Sequence, residues 1–336
     1  MDRGGGTADR GGERGVFEFS GGDPPVAEDG RVGDQIEEFG RRISPDHRPR
    51  GDPGEKRPAQ PFRGFFEFAA QPEAFANALN ERIAAFNDRM REGIKGGNDG
   101  PGTGYVQGNF GGVNKVKAGV SGLFLNYSGE GTVSDKSSHS ITYTTSHDNY
   151  TLWDQLVATT VSEKTPTMYT ERNSVIEKKN MMAAALTLTS RGRSFLLAGE
   201  EIARTKYGNH NSYNAQDKVN AFDYSRQEQF SRLFNWYQGL IQLRKNFPSM
   251  QYGTTPVDIW TFGEESCIGY IFTKESDYDK YQKVMVMYNP YGTTRTLTVE
   301  GEWKVLANSD SFDFNSTNTV SGTITLPSYG TAILVQ

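Results

Sequence analysis

One cysteine, Cys267, stands among 336 residues, so no disulfide can form within the chain and no cluster of thiolates can hold a metal. Long apolar runs are missing too. None approaches the ~20 residues that span a bilayer, and the opening Met1-Asp-Arg-Gly-Gly-Gly lacks the apolar core of a secretory signal. A soluble chain with no visible export address is expected, with its compartment left open. There is no excess of positive charge either: lysine and arginine number 36 against 41 acidic residues, a net charge of −5, so no basic surface argues for nucleic acid. Neither a nucleic-acid nor a membrane partner is expected. The glycine-rich run Gly96 to Gly104 is not framed by a strand and a helix with a Gly-Lys-Ser/Thr ending, so it reads as a breaker rather than a phosphate cradle. No metal and no cofactor are expected.

Hydrophobic period is absent from residues 1–60, where Gly, Arg, Asp, Glu and Pro crowd together. Such a segment buries too little apolar surface to offset its ordering entropy, so it is expected to be disordered or irregular. From Pro72 to Ile94 the spacing of Phe75, Leu79, Ile83, Phe86 and Met90 predicts one helix, closed by Gly93, Gly96 and Gly97. Ile141 to Thr145 is β-branched and aromatic and predicts a strand. Ser174-Val-Ile-Glu177 has the form of a capping box opening a helix through Thr189, and Ser194 to Gly199 then reads as a buried strand. Strand, helix, strand over this span predicts a parallel right-handed βαβ unit. A second box, Ser225-Arg-Gln-Glu228, opens a helix whose stripe is Phe230, Leu233, Phe234, Tyr237, Leu240 and Ile241. Beyond residue 250 the period becomes two. Short strands at 257–262, 268–273, 283–288, 294–299, 303–307, 319–326 and 332–335 predict an all-β antiparallel sandwich over 250–336, with Cys267 in a buried strand.

The chemistry concentrates where the strand from Ile141 ends. In a parallel α/β barrel that face carries the active site, and there His147 and Asp148 set an imidazole beside a carboxylate, a pair suited to gripping adjacent hydroxyls. Taken alone, such pairs are more often structural or simply exposed. The loop from Lys206 to Asp223 is dense in side chains that both donate and accept, among them Asn209, His210, Asn211, Tyr213 and Asn214; it fits a sugar, and equally an ordinary exposed loop. Aromatic content is somewhat rich, which suits sugar stacking but is explained as well by a β-rich core. Glu200 and Glu201 are adjacent on an extended backbone and point to opposite faces, so they read as loop and packing residues.

Ser146-His-Asp-Asn-Tyr-Thr-Leu-Trp-Asp154 resembles the fourth signature motif of type I pullulanases, debranching members of the α-amylase superfamily. Leu197-Ala-Gly-Glu-Glu-Ile-Ala-Arg204-Thr-Lys206, with Gly208 to Asn214 and Asp217 to Asp223, is similar to that family's segment after the eighth barrel strand. Ala85 to Gly96 and Tyr105-Val-Gln-Gly108 are similar to the segment after the sixth, where the resemblance implies a short strand at Ile83 to Phe86 in place of the helix. The resemblance covers roughly residues 80 to 336. It implies the C-terminal strands and helices of a partial (β/α)8 TIM barrel over 61–249, the sandwich over 250–336, and α-1,6 glucan hydrolysis on pullulan, starch or glycogen. It implies that Asp148 stabilises the transition state with His147 assisting, and that Asn149, Asn211, Tyr213 and Asn214 bind the α-glucan. The family's nucleophile motif, of Phe-Arg-Phe-Asp type, and its acid/base motif, Gly-Glu-Gly-Trp, do not occur here. Val16-Phe-Glu18-Phe-Ser-Gly-Gly-Asp-Pro-Pro25 is close to the latter region but is a residue out of step and lacks the Trp, so a solvated Glu18 is expected. Two readings stand at this level: a truncated or wrongly translated debranching enzyme, and a noncatalytic or vestigial glucan-binding module.

Overall fold

The computed structural model describes residues 16–18, 83–98, 100–125, 132–264 and 266–336. The expectations for residues 1–60 and for the helix start at Pro72 lie outside the described residues, apart from the backbone of strand β1 (Val16–Glu18). β1 pairs antiparallel with β2 (Ile83–Phe86), which in turn pairs parallel with β5 (Ser140–Thr142), and β5 pairs parallel with β6 (Arg193–Ser194). The single helix that spacing predicts across this stretch therefore gives way to the strand at Ile83–Phe86 that the resemblance implied, followed by helix α1 (Asp88–Lys95). Helical spacing was present, but the backbone N–H of Asn87 is taken by the carbonyl of Ile141, so sheet pairing overrides the local period. The Asn87 side chain then caps α1 by accepting from the Met90 N–H. Gly96, at φ +90°, ends it.

Between β2 and β5 lie helix α2 (Val113–Val120) and a small antiparallel pair, β3 (Phe124–Leu125) with β4 (Thr132–Ser134). Helices α3 (Leu152–Thr160) and α4 (Ser174–Leu188) connect β5 to β6. The cap of α4 is Asn173 and not Ser174. Its side chain accepts from the N–H groups of Val175 and Ile176, while the buried Glu177 carboxylate turns its Oε2 to Arg172 at 2.8 Å and Arg232 at 2.9 Å and closes no box through Oε1. β6 is shorter than expected, because the chain turns at Gly199 (φ +94°) into a tight helical turn at Glu200–Ile202. Helices α5 (Asp217–Asn220), α6 (Arg226–Gln229), α7 (Ser231–Asn246) and α8 (Ser249–Tyr252) follow. A break at Phe230 separates α6 from α7, and the face that α7 buries is Leu233, Trp236, Tyr237, Gly239, Leu240 and Leu243, with Phe234 and Ile241 at its margins.

Strands β7 (Asp258–Phe262), β8 (Cys267–Thr273), β9 (Lys283–Asn289), β10 (Arg295–Asn308), β11 (Thr319–Leu326) and β12 (Gly330–Val335) form the C-terminal β domain. They make one antiparallel sheet in the order β11-β10-β12-β9-β8-β7, where a sandwich was expected. The two strands expected at 294–299 and 303–307 are the single strand β10, whose register shifts at Val299/Glu302 and Val305/Ala307 curl the sheet. One face, with Ile268, Tyr270, Val286, Tyr288 and Ile333, joins the core under α4 and α7. The other closes over Met285, Met287, Trp303, Leu326 and Leu334. Cys267 is buried at the start of β8, as expected. Among the described residues no helix is long and apolar enough to cross a membrane.

Candidate functional site

The polypeptide leaving β5 stays buried through Tyr143, Thr144 and Thr145 before it surfaces at His147. Two hydroxyls anchor this exit: Thr144 and Thr145 both donate to the Oε1 of Glu200, the first at 3.0 Å. Burial pushes the Glu200 carboxyl up to about 7, against the lowering effect of those two hydroxyls. Glu200 is thus a buried anchor for the strand end, whereas its neighbour Glu201 is half-buried and accepts from the Gly199 N–H. They diverge as expected, but on a helical turn rather than on extended backbone.

Past the anchor, His147 Nδ1 lies 3.0 Å from Asp148 Oδ1, with the side chains 85% and 57% exposed. The pair therefore faces solvent, where an incoming hydroxyl can reach both the imidazole and the carboxylate. Asn149 takes a left-handed backbone (φ +64°), which asparagine tolerates better than most residues, and so turns the chain sharply towards α3. Tyr150 then packs against the ring of His210, 5.4 Å away. Thr151 caps α3 through the Asp154 N–H.

Asp154 carries the opposite loop. Its buried carboxylate accepts from the Thr205 hydroxyl and from the N–H groups of Lys206 (2.8 Å) and Gly208 (3.2 Å). Burial raises its pKa, and those donors act against the rise. Lys206, held in this way, sends its ammonium to the carbonyl of His147 at 2.6 Å. Burial lowers the Lys206 pKa, with Arg204 adding to the effect and Asp148 opposing it. The Lys206 cation is thus held at the His147 carbonyl, within electrostatic reach of the Asp148 carboxylate.

Of the residues expected from sequence, His147 and Asp148 are directly paired, with Asn149 next to them. Asn211, Tyr213 and Asn214 are exposed on the loop that Asp154 and Lys206 hold, which meets the His147 segment through the Tyr150 and His210 rings. Ser212 and Asn220 brace that loop from within, with bonds of 2.8 and 2.7 Å. Sequence reading missed Glu200, Asp154 and Lys206 as supports. Asp154 and Lys206 closed the two quoted segments, and their alternation of polar residues with buried ones was the available signal. Among the described residues no group of three or more His, Cys, Asp or Glu side chains could hold a metal ion.

The described residues thus set a His-Asp pair at the exit of one parallel strand, beside a polar loop that follows the next. No protein-family model matches the chain. The pullulanase of Bacillus subtilis (strain 168) is 29% identical to it over 273 residues, which is 79% of this chain and 36% of that protein. The solved pullulanase from Bacillus acidopullulyticus superposes with a TM-score of 0.65 at 31% identity, covering 75% of this chain and 30% of that one. The pullulanase from Anoxybacillus sp. LM18-11, solved in complex with maltotriose, gives a TM-score of 0.64 at 26% identity over 76% of this chain and 34% of its own. The chain is similar to a C-terminal portion of pullulanases and spans about a third of the length of these relatives.

Proposed function

We propose that this chain is the C-terminal portion of a debranching α-glucan hydrolase, acting on the α-1,6 linkages of pullulan, starch or glycogen. On this reading residues 61–249 are the closing part of a (β/α)8 barrel and residues 250–336 a β domain that caps it. The parallel neighbours β2, β5 and β6, with helices between them, support the partial barrel. The observation that carries the function is the exposed His147–Asp148 pair, fixed at the exit of β5 by Lys206 and Glu200. Asp148 grips the ring hydroxyls of the sugar being cleaved and binds them more tightly as the ring flattens, with His147 assisting. Hydrogen bonds of this kind supply several kcal/mol in glycosidases. Asn149, Asn211, Tyr213 and Asn214 hold the neighbouring glucose units.

Retaining hydrolysis also needs a nucleophile and a general acid about 5 to 5.5 Å apart. The sequence shows neither motif, so the chain contributes the third carboxylate and the binding surface. A chimera tests this: residues 83–336 replace the matching portion of the Bacillus subtilis pullulanase, and reducing sugar released from pullulan is measured. The chimera should hydrolyse pullulan. Asp148→Asn should then lower kcat at least about 100-fold with little change in KM, because the lost bonds are transition-state bonds. A kcat untouched by Asp148→Asn would remove Asp148 from the site.

A further inference from the structure

Of the six exposed large apolar or aromatic side chains among the described residues, four fall on one loop: Tyr207, Tyr213, Phe222 and Tyr224. A folded chain has no packing reason to concentrate them there. Two of the four are organised. The rings of Phe222 and Tyr224 stack at 18° with centroids 5.9 Å apart, and the Arg204 guanidinium carbon lies 4.0 Å from the Phe222 centroid. Arg204 is itself fixed by its bonds to the carbonyls of Ala198 (3.3 Å) and Asn220 (2.7 Å). Tyr224, 73% exposed, ends the stack on the solvent side.

The place of this stack is set by Gly199. A side-chain carbon on Gly199 would come within 2.8 Å of Arg204 and 3.2 Å of the Phe222 ring, so both lie directly over the backbone that follows β6. β6 is the parallel neighbour of β5, and the polypeptide leaving β5 carries His147 and Asp148. Neighbouring strands are separated by about 5 Å. The aromatic stack therefore stands over one strand exit and the His-Asp pair over the next.

We propose that Phe222 and Tyr224, backed by Arg204, form a sugar-stacking subsite that receives a glucose unit of the α-glucan chain next to the one held by Asp148. The inference rests on the α-glucan reading above and adds to it a binding element of a different chemistry. Asn211 and Asn214 offer hydrogen bonds, whereas the Tyr224 ring offers an apolar face to the C–H face of a pyranose. The choice of a neutral sugar follows from the charges. The Arg204 guanidinium is already committed to two carbonyls and a ring, so it does not stand free to select an anionic ligand. Because the ring is stacked before any ligand arrives, little side-chain freedom remains to be lost on binding.

Calorimetric titration of the full chain with maltotriose tests the proposal, using Tyr224→Ala, Tyr224→Phe and the double variant Asn211→Ala/Asn214→Ala. Tyr224→Ala should weaken maltotriose about tenfold, the scale of one aromatic contact, while Tyr224→Phe stays within about twofold because the ring acts and the hydroxyl does not. Tyr224 is exposed, so thermal melts of the unmodified chain, Tyr224→Ala and Tyr224→Phe should superimpose. Unchanged affinity in Tyr224→Ala overturns the subsite, and if the asparagine variant is weakened at the same time the α-glucan reading survives it. Equal losses in Tyr224→Ala and Tyr224→Phe also overturn stacking. No binding of maltotriose by the unmodified chain would remove both the subsite and the reading on which it rests.

Discussion

The ammonium of Lys206 donates to the backbone carbonyl of His147 at 2.6 Å, and the backbone N–H of the same lysine is held by Asp154 at 2.8 Å. One residue thereby ties the loop after β6 to the segment after β5. It fixes the His147 backbone directly before Asn149 takes its left-handed turn, and it places positive charge near the Asp148 carboxylate. A hydrogen bond from a charged donor contributes about 1.5–3 kcal/mol, enough to decide whether an exposed turn stays in one conformation.

Lys206→Met removes this tie while keeping most of the side chain's volume. Amide hydrogen exchange at residues 147–150 should become at least about tenfold faster. In the pullulanase chimera the same change should lower kcat by about tenfold with a smaller effect on KM, since Asp148 loses its fixed position. Exchange rates and kcat equal to those of the parent would show that the turn holds itself.

Glu200 and Lys95 predict an unusual pH profile. Burial pushes Glu200 up to about 7 from 4.5, and burial pulls Lys95 down to about 7 from 10.5. Between 4.5 and 7 the folded chain holds a proton on Glu200 that the unfolded chain has released, so stability falls as pH rises through that window. Between 7 and 10.5 the unfolded chain holds a proton on Lys95 that the folded chain lacks, so stability rises again. The Glu200 contribution is on the order of 3 kcal/mol and the Lys95 contribution on the order of 5 kcal/mol. Denaturant titrations should find a trough near pH 7 superimposed on the profile of the surface groups. Glu200→Gln should flatten the acid side and Lys95→Met the alkaline side. If both variants keep the parent's slopes, the buried groups do not titrate in these windows.

Much of the site was legible because it is local. His147 and Asp148 follow a β-branched run, and Asn149 and Thr151 supply the turn and the cap that sequence rules assign to such residues. What was not legible depends on long-range partners. Lys206 reaches His147 across 59 residues, and Glu200 takes the hydroxyls of Thr144 and Thr145 across more than 50. The Ser174–Glu177 pattern suggested a capping box, but Glu177 is drawn to Arg172 and Arg232, and Asn173 is left to cap the helix. In the same way the helical spacing of Ile83, Phe86 and Met90 lost to the parallel partner that β5 offers to β2. The β domain's strands were visible by their period of two, while the merging of two of them into β10 depends on bulges, one of them at Gly301 (φ +79°), across which the pairing with β11 and β12 continues.

Gly239 lies inside α7, where alanine would ordinarily favour the helix by about 1 kcal/mol. Here the sign reverses. A carbon at Gly239 would sit 2.2 Å from the Phe312 ring and 2.9 Å from its Cβ, so the whole side chain must move. Phe312 also packs on Trp236 at 4.8 Å and stacks on Phe314 at 5.6 Å. Gly239→Ala should therefore destabilise the chain by about 1–3 kcal/mol, the range of overpacked cores, and lower Tm. A raised Tm would mean that the helix and the β domain do not meet at this residue.

Expressed alone, the chain should show no detectable hydrolysis of pullulan. A retaining glycosidase cleaves only with a carboxylate nucleophile and a proton donor placed on the two sides of the bond. Three carboxylates on the segments that follow β5 and β6 are engaged elsewhere: Asp154 with Thr205, Lys206 and Gly208, Glu200 with Thr144 and Thr145, and Glu201 with the N–H of Gly199. None is free to attack a sugar. Asp148 itself is bonded to His147 and exposed to water, which suits a group that grips hydroxyls and does not suit a desolvated nucleophile. Binding of maltotriose without hydrolysis of pullulan is the expected pair of results. The assay is reducing-sugar release by purified, monodisperse protein, with Asp148→Asn as the control. Release that disappears in Asp148→Asn would mean that a working nucleophile and acid lie elsewhere in the chain, and Glu18→Gln would be the first variant to make.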